Sequence, residues 1–264
     1  LRPDLFIDLA DNTKSHAMTM FTRAKVFRYK KLPSDTRPIR HATANFLDTI
    51  APICKEYPEP LFPTIFPEAI ADHVLEPLWQ EGELPPMPLI GIVPGVGKLR
   101  PHRAWLQDGW TYLLEHILTW QSHLPVLIGG PDEEELCTEL SNNVGGHCLN
   151  TAGKLSLVET AAVLKRCRIV VSGDTGPAHV AIAAGTPVVG LYGPTYPQRS
   201  GPYGCMDLVL DQSEACRCHE LKSCRFVNPQ SPGECMSRIM LFEITEKLKQ
   251  VLHPDSLEEL GGGP

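Results

Sequence analysis

The segment Ser172-Gly-Asp-Thr-Gly-Pro-Ala-His179 joins a short apolar run, 169–171, to a small-residue stretch of helical character, 178–185. Gly173 and Gly176 allow tight turns, Thr175 or Gly176 can cap the helix, and Pro177 suits its first turn. A helix start offers free N–H groups and the positive end of the helix dipole, and both favour a phosphate. A carboxylate repels phosphate, so Asp174 reads as a residue that orients the loop or accepts from a sugar hydroxyl. His179 reads as the donor on the phosphate side. The same residues also fit a capped helix that binds nothing.

A second loop, Pro94-Gly-Val-Gly-Lys-Leu-Arg-Pro-His-Arg103, follows the apolar run 89–93. Gly95 and Gly97 permit close backbone approach, and Lys98, Arg100, His102 and Arg103 bring cationic donors suited to a diphosphate. Its Gly-Lys pair lacks the Ser or Thr of a nucleoside-triphosphate loop, and its glycines do not match the dinucleotide fingerprint. An oxidoreductase is therefore disfavoured. A basic surface loop is the alternative. Three further segments reach the same rim: Gly129-Gly-Pro-Asp-Glu133, Asn150-Thr-Ala-Gly-Lys154 and Tyr192-Gly-Pro-Thr-Tyr-Pro197. The first two could line a nucleoside pocket or be plain turns.

The elements that must position these loops alternate. Strands are predicted at 89–93, 126–129, 147–149, 169–172 and 188–192, and helices at 105–120, 132–140, 156–166, 177–184 and 239–251. Short apolar runs alternating with helices imply a parallel sheet covered on both faces, whose ligands sit beyond the carboxyl ends of the strands. Upstream, 4–10 has the apolar density of a buried strand, Asp11-Asn12-Thr13 can cap a helix over 14–22, and a strand at 25–29 and a helix over 41–57 follow. Eight prolines between residues 57 and 89 predict only short, interrupted structure there. A boundary near 84–88 divides the chain into an N-terminal domain with linker, 1–86, a Rossmann-like domain, 87–238, and a C-terminal helix and tail, 239–264.

With 24 Lys and Arg against 31 Asp and Glu, the net charge is −7. No long basic run is present, so no nucleic-acid partner is expected, and an anionic ligand must be met by a local cluster of donors. No apolar stretch approaches the roughly 18 residues of a membrane span, and the opening residues do not resemble a signal peptide, so a cytoplasmic location is expected. The nine cysteines include Cys216, Cys218, Cys224 and Cys235, which could close a zinc site by number. The first pair is too closely spaced for a strong zinc pattern, and partly buried thiols before the last helix are the alternative. No cofactor is expected.

Taken together, Gly173-Asp-Thr-Gly-Pro-Ala-His-Val-Ala181, Ala184-Gly-Thr-Pro-Val-Val-Gly-Leu-Tyr-Gly-Pro-Thr195 and the Gly-rich basic loop resemble the ADP-heptose:lipopolysaccharide heptosyltransferases of bacteria, glycosyltransferase family 9. The resemblance implies an α/β chain of the GT-B type, with an acceptor domain and an ADP-sugar domain, and transfer that inverts the anomeric carbon without a metal. It implies donor-binding roles for Gly95, Lys98, Arg103, Asp174, Thr175, Gly176 and His179, with Thr175 and Gly176 offering backbone N–H groups to the diphosphate. Ile7-Asp-Leu-Ala-Asp-Asn-Thr-Lys-Ser15 is similar to the family's acceptor-facing strand and helix, which gives Lys14 and Ser15 an acceptor-side role. The implied acceptor is a cell-surface or lipid-linked glycan, with peripheral contact at the inner membrane. Two departures stand out. The family's catalytic Asp lies in an N-terminal strand-turn with no counterpart in this chain, which implies roughly 60 to 90 residues upstream of Leu1; Asp8 and Asp11 are the carboxylates to consider in its place. Asp11-Asn12 also replaces the Gln-Gly of many relatives. A non-catalytic nucleotide-sugar binder that keeps only the donor loops is the competing reading.

Overall fold

A computed structural model describes residues 3–20, 22–30, 38–54, 56, 65, 71–81, 84–98, 100–215 and 233–253. It divides into two compact units, Leu1–Leu61 with Gln198–Ser200, and Phe62–Pro197 with Gly201–Pro264.

In the smaller unit, strand β1 (Leu5–Asp8) leads through helix α1 (Thr13–Met20) to strand β2 (Lys25–Arg28), and helix α2 (Ala42–Ile50) follows. The two strands pair in parallel, from Leu5 opposite Lys25 to Asp8 opposite Arg28. Asn12 and Ser15 cap α1 reciprocally: the Asn12 side chain accepts from the Ser15 N–H at 3.0 Å, and the Ser15 hydroxyl accepts from the Asn12 N–H at 3.1 Å. The expectation of a buried first strand fails, because Leu5, Ile7 and Leu9 are exposed and only Asp8 is buried. Apolar density alone does not say whether anything covers a strand.

The larger unit begins at helix α3 (Ala71–Glu81) and continues with β3 (Leu89–Val93), α4 (Gln107–Thr119), β4 (Leu124–Leu127), α5 (Glu134–Asn143) and β5 (Leu149–Asn150). Then come α6 (Leu157–Arg166), β6 (Cys167–Gly173), α7 (Gly176–Ala183), β7 (Val188–Tyr192), the short α8 (Pro197–Ser200), whose residues Gln198–Ser200 fall to the smaller unit, β8 (Val209–Asp211), α9 (Glu234–Ser237) and α10 (Leu241–Leu252). All six strands pair in parallel in the order β5-β4-β3-β6-β7-β8. From β3 the chain winds outward through β4 and β5, and from β6 outward through β7 and β8. The order therefore reverses between β3 and β6, where the connecting loops part and leave a crevice at the strands' carboxyl ends.

Burial on both faces explains the continuous apolar runs. Ile90, Ile92, Ile169 and Val171 point into a core with Leu113, Ile117, Ile244 and Leu248 of α4 and α10. Leu89, Val93 and Val170 point the other way, onto Val163 and Leu164 of α6 and Ala178 and Ala181 of α7. The alternation is the two-residue period of a strand.

Helix α3 corrects the expectation of interrupted structure before residue 89. It runs through Pro77, which costs a helix one hydrogen bond, and it persists because Leu75 is fully buried in the core it shares with α6. It also lies upstream of the expected 84–88 boundary yet belongs to the larger unit. Helix α6 follows its sequence signature: Ser156 Oγ accepts from the Glu159 N–H at 3.3 Å, and Glu159 accepts from the Ser156 N–H at 2.7 Å.

Candidate functional site

At the carboxyl ends of β3, β4 and β6 the loops enclose a cavity of about 500 Å³. Of the residues singled out from sequence, Gly95, Lys98, Arg103, Asp174, Thr175 and Gly176 all line it. Sequence positions up to 81 residues apart thus meet because β3 and β6 are neighbours in the sheet.

The start of α7 forms one wall. Thr175 occupies the N-cap position in extended backbone, but its side chain makes no capping hydrogen bond. Its hydroxyl instead lies 3.0 Å from that of Ser172. The expectation that Thr175 caps the helix is met in position and not in bonding, so the first-turn N–H groups are left uncovered by their own cap. Pro177 has no N–H to offer, which leaves the amides around it to meet a ligand.

Arg103 forms the second wall from a single helical turn, Pro101–Arg103. Its guanidinium donates to the Asp174 carboxylate at 2.8 Å and to the Asp174 carbonyl at 3.0 Å. Both side chains are largely buried, with 19% and 9% of their surface exposed. Both contacts come from Nη1, which therefore fixes the loop that presents Thr175 and Gly176, while the Arg103 Nε–H, buried and without a partner among the described residues, remains to be satisfied. Of the two roles read for Asp174, orienting the loop is the one this pairing supplies. Tyr192, buried behind the pair, has its phenol pushed up by burial and by the Asp174 charge, and it stays neutral.

The third wall is the loop after β4. Lys98 pairs with Asp132 at 2.5 Å across the mouth, and that carboxylate raises the Lys98 ammonium's pKa. Glu133 lies against Gly95: a Cβ at Gly95 would fall 2.0 Å from the Glu133 side chain, so this crossing requires glycine. The Glu133 carboxylate accepts from the Gly130 N–H at 2.9 Å, and Val93, Val96 and Ile128 supply apolar surface. Asp132 and Glu133 were legible only as part of a loop that could line a nucleoside pocket. Neither Asn150–Lys154 nor the turn after β7 reaches the cavity lining.

Two expected donors fall elsewhere. His102 does not line the cavity, and burial together with Arg103 and Arg100 lowers its pKa, so it is a neutral imidazole near pH 7. His179 is exposed and lines a separate apolar cavity of about 400 Å³ with Leu157, Val158, Ala161 and Val180. It stands three residues into α7, where the helix has turned away from its own N-terminus.

In the smaller unit, Lys14 is exposed, whereas Ser15 is buried and donates to Asp8 at 2.9 Å. Asp8 also accepts from Arg28 Nε at 2.8 Å and from the Ala10 and Asp11 N–H groups. The Arg28 guanidinium, ahead of these other bonds, holds the Asp8 carboxyl down at about 2. Such a carboxylate is a poor proton acceptor. Asp11, with φ of 43°, is held 2.9 Å from His16. Cys216, Cys218 and Cys224 lie outside the described residues; Cys235 is buried in the core. Among the described residues no group of His, Cys, Asp and Glu is placed to hold a metal, and no helix is long and apolar enough to cross a membrane.

Comparison with known proteins bears on this geometry. The sequence model of glycosyltransferase family 9 (heptosyltransferase) matches residues 70–228, which contain all three walls of the cavity. Lipooligosaccharide heptosyltransferase 2 of Haemophilus influenzae is 34% identical over 119 residues, 44% of this chain and 34% of the relative, so the match spans about a third of that protein's length. Among solved structures, ADP-heptose lipopolysaccharide heptosyltransferase II of Escherichia coli superposes with a TM-score of 0.70 at 19% identity, over 97% of this chain and 78% of that one. An Escherichia coli heptosyltransferase solved with ADP gives 0.61 at 20% identity, over 97% and 75%. These likenesses establish a fold of the GT-B type.

Proposed function

This chain belongs to glycosyltransferase family 9, the heptosyltransferases, and on that premise we propose that its cavity binds the ADP portion of an ADP-sugar for transfer to a bacterial cell-surface glycan. The observation that carries the reading is the uncapped start of α7 opening into the crevice between β3 and β6, with Arg103 and Lys98 on the facing wall. The Thr175 and Gly176 N–H groups and the helix dipole would receive the diphosphate. Lys98 would exchange Asp132 for a phosphate oxygen, and Asp132 or Glu133 would accept from ribose hydroxyls, as an acid does in other doubly wound sheets.

In the reaction, an acceptor hydroxyl attacks the anomeric carbon, the bond to the diphosphate breaks, and the configuration inverts. Charge develops on the leaving diphosphate, where fixed N–H donors and cations stabilise it without reorganising. Those donors are the reason we propose that no divalent metal is needed. The proton of the acceptor hydroxyl needs a base. Asp8 is unsuited because its ion pair with Arg28 keeps its basicity low. We therefore expect transfer by this chain alone to be slow or absent. A lipid-linked acceptor would bring the protein to the inner membrane face as a peripheral visitor.

Calorimetry of the chain with ADP, in chelator and in magnesium, tests the reading. Equal affinity in both is expected. Absence of binding by a folded sample would refute it, and binding that requires magnesium would refute the metal-free part. A chain that binds ADP-sugar but transfers to no acceptor glycan would instead be a binder.

A further inference from the structure

We propose a second binding site, for a phosphate-bearing ligand, in the cavity at the opposite, amino-terminal ends of β3 and β6, held by Arg168 with the Trp79 side chain in its wall. This cavity of about 500 Å³ is lined by Trp79, Met87, Lys165, Arg166 and Arg168, with two prolines and the strand residues Leu89 and Cys167 closing it. Leu89 lines it and Val93 lines the donor cavity, so about 13 Å of strand separates the two.

Three observations point to a ligand. First, the register of β3 with β6 shifts between Leu89, opposite Cys167, and Ile90, opposite Ile169, so Arg168 is the extra residue of a β-bulge. Bulges re-aim side chains, and Arg168 is the one exposed residue of an otherwise buried strand. Second, the Trp79 Nε1–H is buried and has no hydrogen-bond partner among the described residues. The indole ring thus gives the cavity an aromatic wall whose N–H lies just behind it. Third, the charged lining side chains are all cationic, in a chain whose net charge is −7. Lys165 and Arg166 stand in the last turn of α6, where they complement the helix dipole whether or not anything binds. That explanation does not extend to Arg168, which lies in the bulge and makes no ion pair among the described residues. An arginine in one cavity with the Trp79 ring and Met87 is the chemistry of a phosphate carried on a less polar body.

The Trp79 indole N–H resonance, assigned by its loss in Trp79→Phe, reports directly on the site. Pyrophosphate and vesicles of phosphatidylglycerol in phosphatidylcholine are titrated separately into the full chain, with pure phosphatidylcholine as control. A shift with pyrophosphate identifies a soluble phosphate ligand; a shift with the anionic vesicles alone identifies a lipid headgroup. Arg168→Gln should weaken the effective probe at least about tenfold while ADP affinity stays the same. Should Arg168→Gln fail to fold, weaker binding of the same probe by Trp79→Phe, followed by calorimetry, carries the test. No shift with either probe, or equal binding by the variants, overturns the proposal.

Discussion

Two strand-to-helix turns in this chain are built from similar residues and end differently. Both place an Asp at or just past a strand end and pair it with an Arg: Asp8 with Arg28 after β1, and Asp174 with Arg103 after β6. After β1 the turn closes on itself, since Asn12 and Ser15 cap α1 and Asp8 accepts from Ser15, Ala10 and Asp11. After β6 the turn stays open, since the Thr175 hydroxyl goes to Ser172 and Arg103 braces the loop from outside. The difference teaches that an Asp and a capping residue at a helix start do not define an anion site. What matters is whether the helix's own side chains already occupy its first-turn N–H groups.

The largest expected effect comes from removing the outside brace. Arg103→Ala strands a largely buried carboxylate, so unfolding free energy in urea should fall by about 2–4 kcal/mol and ADP affinity at least tenfold. Arg103→Lys should recover only part of the loss, because one ammonium nitrogen can donate to both Asp174 oxygens as Nη1 does but brings neither the planar guanidinium nor its Nε–H. Next in size, Thr175→Asp converts the open turn into a self-capped one. Stability should rise by up to about 1 kcal/mol while ADP binding weakens tenfold or more. A Thr175→Asp protein that binds ADP normally would break the distinction between the two turns.

The closed turn has its own signature in pH. Folding lowers the Asp8 carboxyl from 3.8 to about 2, so the unfolded chain takes up its proton first. The stabilisation is fully present above about pH 4 and is lost as pH falls toward 2. Melting temperature should drop over that window, and Asp8→Asn should flatten that part of the drop. The smallest effect concerns His179, which lines a different cavity from the α7 start. His179→Ala should change ADP affinity by less than about threefold; the 5- to 150-fold loss expected of a phosphate contact would return His179 to the site.

Legibility in the sequence follows the range of the forces involved. Strand β3 at 89–93, β7 at 188–192 and the start of α6 are written in local pattern and agree with the sequence reading within a residue or two. The loops that line the cavity between β3 and β6 were legible too, because a parallel sheet sends its ligands to the strands' carboxyl ends. Long-range facts were not. Nothing near Arg103 announces a partner 71 residues away, nothing in 71–81 says that burial of Leu75 outweighs Pro77, and the face taken by His179 depends on where α7 rests. Short β8 has too few residues for a period to show.

The account turns on the open helix start, and amide NMR during an ADP titration in chelator addresses it directly. The largest shifts should fall on the N–H groups of Thr175, Gly176 and Ala178, with smaller ones at Gly95 and Gly130, while the closed turn from Asn12 to Ser15 stays unmoved. Saturable binding that leaves the α7 amides in place, or that moves them only after magnesium is added, would contradict it.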